Sequence, residues 1–200
     1  QPGPSGWSAE ARAAFLEYLA DRYFAICAEA IRQAAPAHLY LGSRFHGPDL
    51  GRLELFRAAG RHADVISVNW YGVWTPDAGR LAAWAAAAGR PILITEWYAK
   101  GMDSGLENIT GAGWTVRTQR DRGRFYQNFA LGLLASPDCV GWHWFRYMDN
   151  DPADSSADPS NRDSNKGILS NTYEPWWDLL DRMRALNVRA EPLRDQLAPR

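Results

Sequence analysis

Glu96 closes the short apolar run Pro91-Ile92-Leu93-Ile94-Thr95, so a carboxylate stands where a buried strand gives way to a loop. A carboxylate in such a place needs hydrogen-bond or charge partners to stay ionised. Tyr71, two positions past Asn69 at the end of the preceding apolar run, supplies a phenol able to donate to it. An ionised carboxylate held by a donor suits a covalent nucleophile. The plainer alternative is a strand-end glutamate paired with a loop arginine; the aromatic surroundings favour chemistry. Other strand ends carry Arg44 and His46, Asn69, Trp97, His143, Trp144 and Tyr147. Ten Trp in 200 residues are either a bulky core or flat platforms for a ligand with apolar faces and polar edges, such as a sugar ring.

Two carboxyls about 5–5.5 Å apart, one nucleophile and one acid/base, are what a retaining glycoside hydrolysis requires. Glu96 is the one carboxylate at a strand end. Asp149 and Asp151 follow the fourth apolar run within a loop, where they contact sugar hydroxyls or face solvent. Arg44 and His46 are placed to hydrogen-bond hydroxyls, with a plain loop histidine the alternative for His46. Trp74 and Trp114 lie in loops beside the strand ends and could stack on a polysaccharide, whereas Trp176 and Trp177 belong to packing. Strand alternation leaves one choice open: Trp142 and Trp144 face the site together, or His143 and Phe145 do.

Several classes are excluded by composition. With 22 Lys+Arg against 23 Asp+Glu and a net charge of −1, the chain lacks the basic stripe of a nucleic-acid binder. No run of about 18 apolar residues exists to span a membrane. Four scattered His lack metal spacing, so no metal site is expected. No strand is followed by a phosphate-binding glycine loop, and no cofactor is expected. Cys27 and Cys139 both fall within apolar patterns and are expected as buried free thiols. The Gln1-Pro2-Gly3-Pro4 start has no initiator Met, as in a mature or trimmed chain.

The positioning elements follow from periodicity. Residues 8–34 are predicted as a helix with Ser8 as its cap and Phe15, Tyr18, Leu19, Tyr23, Ile26 and Ala30 at helical spacing. Strands are predicted at 38–42, 63–71, 90–96 and 139–145, and helices at 49–59, 76–88, 116–135 and 173–186. Arg122 and Arg124 are expected solvated or paired on their helix. Loops rich in Gly (99–114) and in Asp, Ser, Asn and Pro (149–165) intervene, and 187–200 is a C-terminal tail. Short apolar strands alternating with helices define an α/β fold with a parallel sheet. Chemistry at the strands' C-terminal ends is the pattern of a (β/α)8 TIM barrel, which takes about 250 residues. Four units amount to half of one, so 1–200 reads as a single partial-barrel catalytic domain.

At these same positions the sequence resembles glycoside hydrolase family 50, the β-agarases. The resemblance is carried by Leu39-Tyr40-Leu41-Gly42-Ser43-Arg44-Phe45, Asp64-Val65-Ile66-Ser67-Val68-Asn69-Trp70-Tyr71, Ile94-Thr95-Glu96-Trp97 and Gly141-Trp142-His143-Trp144-Phe145-Arg146-Tyr147-Met148-Asp149. Thr118-Gln119-Arg120-Asp121-Arg122-Gly123 and Asn165-Lys166-Gly167-Ile168 extend it from about Phe15 to Leu186. It implies barrel strands five to eight, with Glu96 as nucleophile, Tyr71 as its partner and Trp144 flooring the sugar site. It implies a β-linked galactan substrate, polysaccharide or oligosaccharide, and export to the periplasm or beyond. The family's acid/base glutamate, at the end of strand four, has no counterpart here. The expected partner is therefore an N-terminal half-barrel, or a second copy of the chain; without either, a non-catalytic carbohydrate-binding role is the alternative. Glu96-Trp97-Tyr98 departs from the family's more usual Glu-Phe-His.

Overall fold

The computed structural model describes residues 6–197; the Gln1-Pro2-Gly3-Pro4 start and the last three positions of the predicted tail lie outside them. Helix α1, Ala9–Ala34, begins where Ser8 accepts the Ala11 amide at 3.2 Å. Its packing face differs from the predicted one. Glu17 and Asp21 pair with Arg57, Arg61 and His62, and Phe24 and Ala28 are buried one and two turns on. Residues 17, 21, 24 and 28 form one helical stripe. Phe15, Tyr18, Leu19, Tyr23 and Ile26 lie outside it and are exposed. The short partner helix α2, Leu53–Gly60, carries Arg57, with Arg61 just past its end, and these pair beside the buried Phe24 and Ala28. The helix predicted at 49–59 divides into a 3-10 turn, Gly47–Gly51, and α2, with Arg52 between.

Three parallel strands make the main sheet: β1 (Ile66–Asn69), β2 (Ile92–Glu96) and β5 (Cys139–Trp142), in the order β1-β2-β5. Helices α3 (Ala78–Ala88) and α4 (Gln119–Leu134) form the crossovers. Asp77 and Thr118 cap them through the Arg80 and Asp121 amides, and Gly89 ends α3 in the left-handed region at φ 62. The strand predicted at 38–42 does not form. Gly42 at φ 65 breaks the extended run, Ser67 Oγ takes the Leu41 carbonyl, and the segment joins the sheet only at a Phe45–Val68 bridge. The predicted Gly-rich loop contains a second parallel pair, β3 (Ala99–Gly101) with β4 (Trp114–Val116). The last predicted helix starts later, as α5 (Trp177–Asn187), because Tyr173 lies at φ 68 and Pro175 follows. The predicted tail is helical from Ala190 to Leu197 (α6).

The core lies between sheet and helices. Ile66, Val68, Ile92 and Ile94 are sealed against Phe56, Leu81, Phe129 and Leu133, each such side chain stabilising the fold by about 1.5–3 kcal/mol. Trp70, Trp84 and Trp97 belong to this core; Trp97 stacks on Phe129 at 4.1 Å and 14°. Gly60 lets α2 reach the end of α3, where a Cβ would collide with the Ala88 carbonyl. Cys139 is buried and Cys27 half-buried, both free. No helix among the described residues is long and apolar enough to cross a membrane.

Candidate active site

Strict alternation along β2 would place Glu96 with Ile92 and Ile94, inside the helix-covered core. It does not, because the pairing skips a residue: Val68 faces Ile94, and Asn69 faces Glu96. Thr95 is the extra residue of this bulge, and its hydroxyl donates to Asn69 Oδ1 at 2.8 Å. Bulges of this kind re-aim a side chain. Here the bulge turns Glu96 onto the face of the sheet away from the helices, into a cleft of about 730 Å³.

Two donors hold the carboxylate. Arg44 donates to Oε1 at 2.7 Å and the Tyr71 phenol to Oε2 at 3.1 Å. Burial, and then the negative charge of Glu96, push the Tyr71 phenol far above its ordinary value, so Tyr71 is a donor at any working pH. The Glu96 side chain is 15% exposed, which leaves the carboxylate reachable from the cleft. Asn69 and His46 line the same cleft.

The other predicted contacts are placed elsewhere. Trp97, 1% exposed, is enclosed by Phe125, Tyr126 and Phe129 of α4 and is closed to a ligand. Trp144 lies on the helix-covered side, edge-on to Trp97, with its indole N–H on the Lys166 carbonyl. Trp142 points the same way, donating to the Tyr126 hydroxyl. The open choice of phase thus resolves against the tryptophans: Phe145 lines the cleft, and exposed His143 lies outside its lining. Trp74 is exposed over Phe125, outside the cleft lining.

Asp149 neither meets solvent nor lines the cleft. It is fully buried and accepts from Asn165 Nδ2, the Lys166 and Gly167 amides and Trp176 Nε1, at 2.6–3.0 Å. Arg122, expected solvated or paired on its helix, is fully buried and donates to the Ala99 and Gly167 carbonyls and to Gln119; burial pulls its pKa down to about 10. Arg124 pairs with Asp121 as expected. The two polar motifs at 118–123 and 165–168 therefore build an internal web that ties the 99–114 and 149–165 loops together.

Tyr98, Arg80, Asp158, Ser160 and Asn161 also line the cleft, and none was assigned to the site by sequence. Tyr98 had a usable signal, its place two residues past Glu96; the loop residues had none. Asp158 is a second carboxylate in the cleft, but hydrogen bonds from the Ser160 backbone and side chain hold it below the usual carboxylate range, unsuited to a general acid. No group of His, Cys, Asp and Glu among the described residues is arranged to hold a metal.

Lys166 Nζ is buried and donates to the Asn161 carbonyl and side chain; burial, and then the Arg146 charge, bring its pKa down to about 8. Between about pH 8 and the 10.5 of a free lysine, the unfolded chain binds more protons than the folded one at this site. Its contribution to stability therefore increases with pH across that window. Urea unfolding at pH 7.5 and 10 will show wild type gaining relative to Lys166→Met; an unchanged difference refutes the assignment.

No family model matches the chain. Among curated proteins it is 31% identical over 185 residues to β-agarase B, and 33% identical over 189 residues to β-agarase A, both from Vibrio sp. (strain JT0107). These alignments cover 91% and 89% of the chain and 18% of each relative. The crystal structure of BpGH50 superposes with a TM-score of 0.87 at 37% identity, over 96% of this chain and 40% of that one. The chain is thus α/β and of glycoside-hydrolase type in its similarities. The particular relatives are β-agarases, as the motifs implied, and the chain spans about a fifth of the length of the curated ones.

Proposed function

We propose that residues 1–200 supply the second half of a (β/α)8 barrel in an agarase-type retaining glycosidase. The observation that carries this reading is the clamped carboxylate: Glu96, turned into the cleft by the Thr95 bulge and held by Arg44 and Tyr71. The parallel order β1-β2-β5, extended by the Phe45 bridge, fits four successive barrel positions. In this reading Glu96 attacks the anomeric carbon of a β-linked galactoside, the glycosidic C–O bond breaks, and a covalent glycosyl ester forms. An acid/base carboxyl gives its proton to the leaving oxygen, then takes one from the water that cleaves the ester. Each Glu96 oxygen spends one lone pair on a donor and keeps another for attack. Asp158 is held below the usual carboxylate range, the opposite direction from a general acid, and the acid/base is assigned to a segment beyond residues 1–200; the relatives' greater length supports this.

The test is proton NMR of agaro-oligosaccharide hydrolysis, by this chain and by the longest polypeptide containing it that mass spectrometry finds in the source organism. A β anomer appearing first supports the reading. An α anomer overturns the retaining mechanism, and binding without turnover by either species favours the carbohydrate-binding alternative.

A further inference from the structure

The Gly-rich segment after β3 does more than connect. Buried Lys100 donates from Nζ to three backbone carbonyls, Asn108 at 3.0 Å, Thr110 at 3.0 Å and Gly111 at 3.1 Å. Asp163 holds the same stretch from the other side, through the Ile109 and Thr110 amides at 2.7 and 2.9 Å. The carbonyls gather around the ammonium as they would around a bound cation, and the loop is drawn into a fixed strap. The strap then lies on Tyr98. At Gly111 a Cβ would collide with the Tyr98 hydroxyl, and at Gly113 it would come within 2.6 Å of the ring carbons. The far end is tied down where Trp114 Nε1 donates to the Val73 carbonyl at 2.9 Å, two residues past Tyr71.

Tyr98 is 2% exposed. On its other side it meets the Tyr71 ring edge-on, with centroids 5.5 Å apart at 83°. Tyr71 is the donor to Glu96 Oε2. An aromatic ring edge fixed against a neighbour removes rotamer freedom that the neighbour would otherwise lose on making its hydrogen bond.

We propose that Tyr98, pressed into place by the Lys100-gathered strap of residues 108–113, is a positioning residue that holds Tyr71 in its hydrogen bond to Glu96. Tyr98 acts through Tyr71 and has no contact with the reacting atoms assigned to it. The inference deepens the glycosidase reading, but its physical content is the Tyr71–Glu96 hydrogen bond and stands apart from turnover. Arg44 and Tyr71 donate to that carboxylate, and Tyr98, His46, Arg80 and Asp158 line the cleft around it.

The experiment is carbon-13 NMR of the Glu96 carboxyl resonance in the chain at one fixed pH, assigned with Glu96→Gln. Tyr71→Phe is expected to displace the resonance, because the carboxyl loses one hydrogen bond. Tyr98→Leu keeps an apolar filling and is expected to displace it by most of that amount, whereas Tyr98→Phe keeps the ring and leaves it in place. Tyr71→Phe combined with Tyr98→Leu should add nothing further, because both act on one bond. Lys100→Met reaches the same bond through the strap and displaces the resonance too. An unmoved resonance in folded Tyr98→Leu and Lys100→Met, or additive displacements in the double variant, overturns the proposal. Expected shifts in a chain that proves catalytically silent even in its longest form would sink the glycosidase reading and leave this one standing.

Discussion

Glu96→Gln will lower turnover of agaro-oligosaccharides by at least ~10³-fold in the longest polypeptide containing this chain, the scale seen when a covalent nucleophile is removed. The amide matches the carboxylate in size, so the cleft keeps its shape, but its oxygen carries no charge with which to form the glycosyl ester. Its nitrogen also cannot accept from Arg44 or Tyr71, which donate to Oε1 and Oε2 in the native site. Substrate affinity, read by calorimetry, should change little, because the substitution leaves the rest of the cleft lining in place. Azide supplied to Glu96→Ala tests the role more closely. A small anion seated in the vacated space attacks the same anomeric carbon and releases a glycosyl azide of α configuration. Retained turnover in Glu96→Gln, or no glycosyl azide from Glu96→Ala, would remove Glu96 from the nucleophile's role.

Asp149→Ala will destabilise the fold by about 3–5 kcal/mol, the range for breaking a buried ionic network. Four donors converge on this carboxylate, two of them backbone amides. Its charge also offsets Arg122 and Lys166, both fully buried. Truncation strands all of these in a medium where an unpaired polar group is expensive. For a chain of this length the loss corresponds to a fall in Tm of roughly 10 °C or more, measurable by circular dichroism. Asp149→Asn should recover little, because its NH2 would be turned toward donors. A loss under about 1 kcal/mol would show that the web around Asp149 contributes little to holding the loops.

Glu96 and Tyr71 could be paired on paper because each closes an apolar run, and neighbouring parallel strands end side by side. The helices capped by Ser8, Asp77 and Thr118 were likewise written locally, since a cap is a contact three residues long. Phe15, Tyr18 and Ile26 misled for the opposite reason: helical spacing shows that a face exists, and only the tertiary contacts, burial of Phe24 and Ala28 with the Arg57–Glu17 and Arg61–Asp21 pairs beside them, show which face is packed. Trp97 and Trp144 misled in the same way, for an aromatic at a strand end suits a sugar platform and a helix-packed core equally well.

Residue type and periodicity, then, determined by themselves that this is an α/β chain and that a carboxylate and a phenol stand at adjacent strand ends. Both follow from short-range rules of burial and alternation; the likeness to the β-agarases came from the motifs and their order. Tertiary structure alone decided that Thr95 bulges so that Glu96 leaves the core, that Arg44 closes on it from fifty-two residues away, and that Asp149 is an internal anchor. A bulge is chosen by the pairing of two strands, and a buried charge by what converges on it. Neither is encoded in the residues beside it.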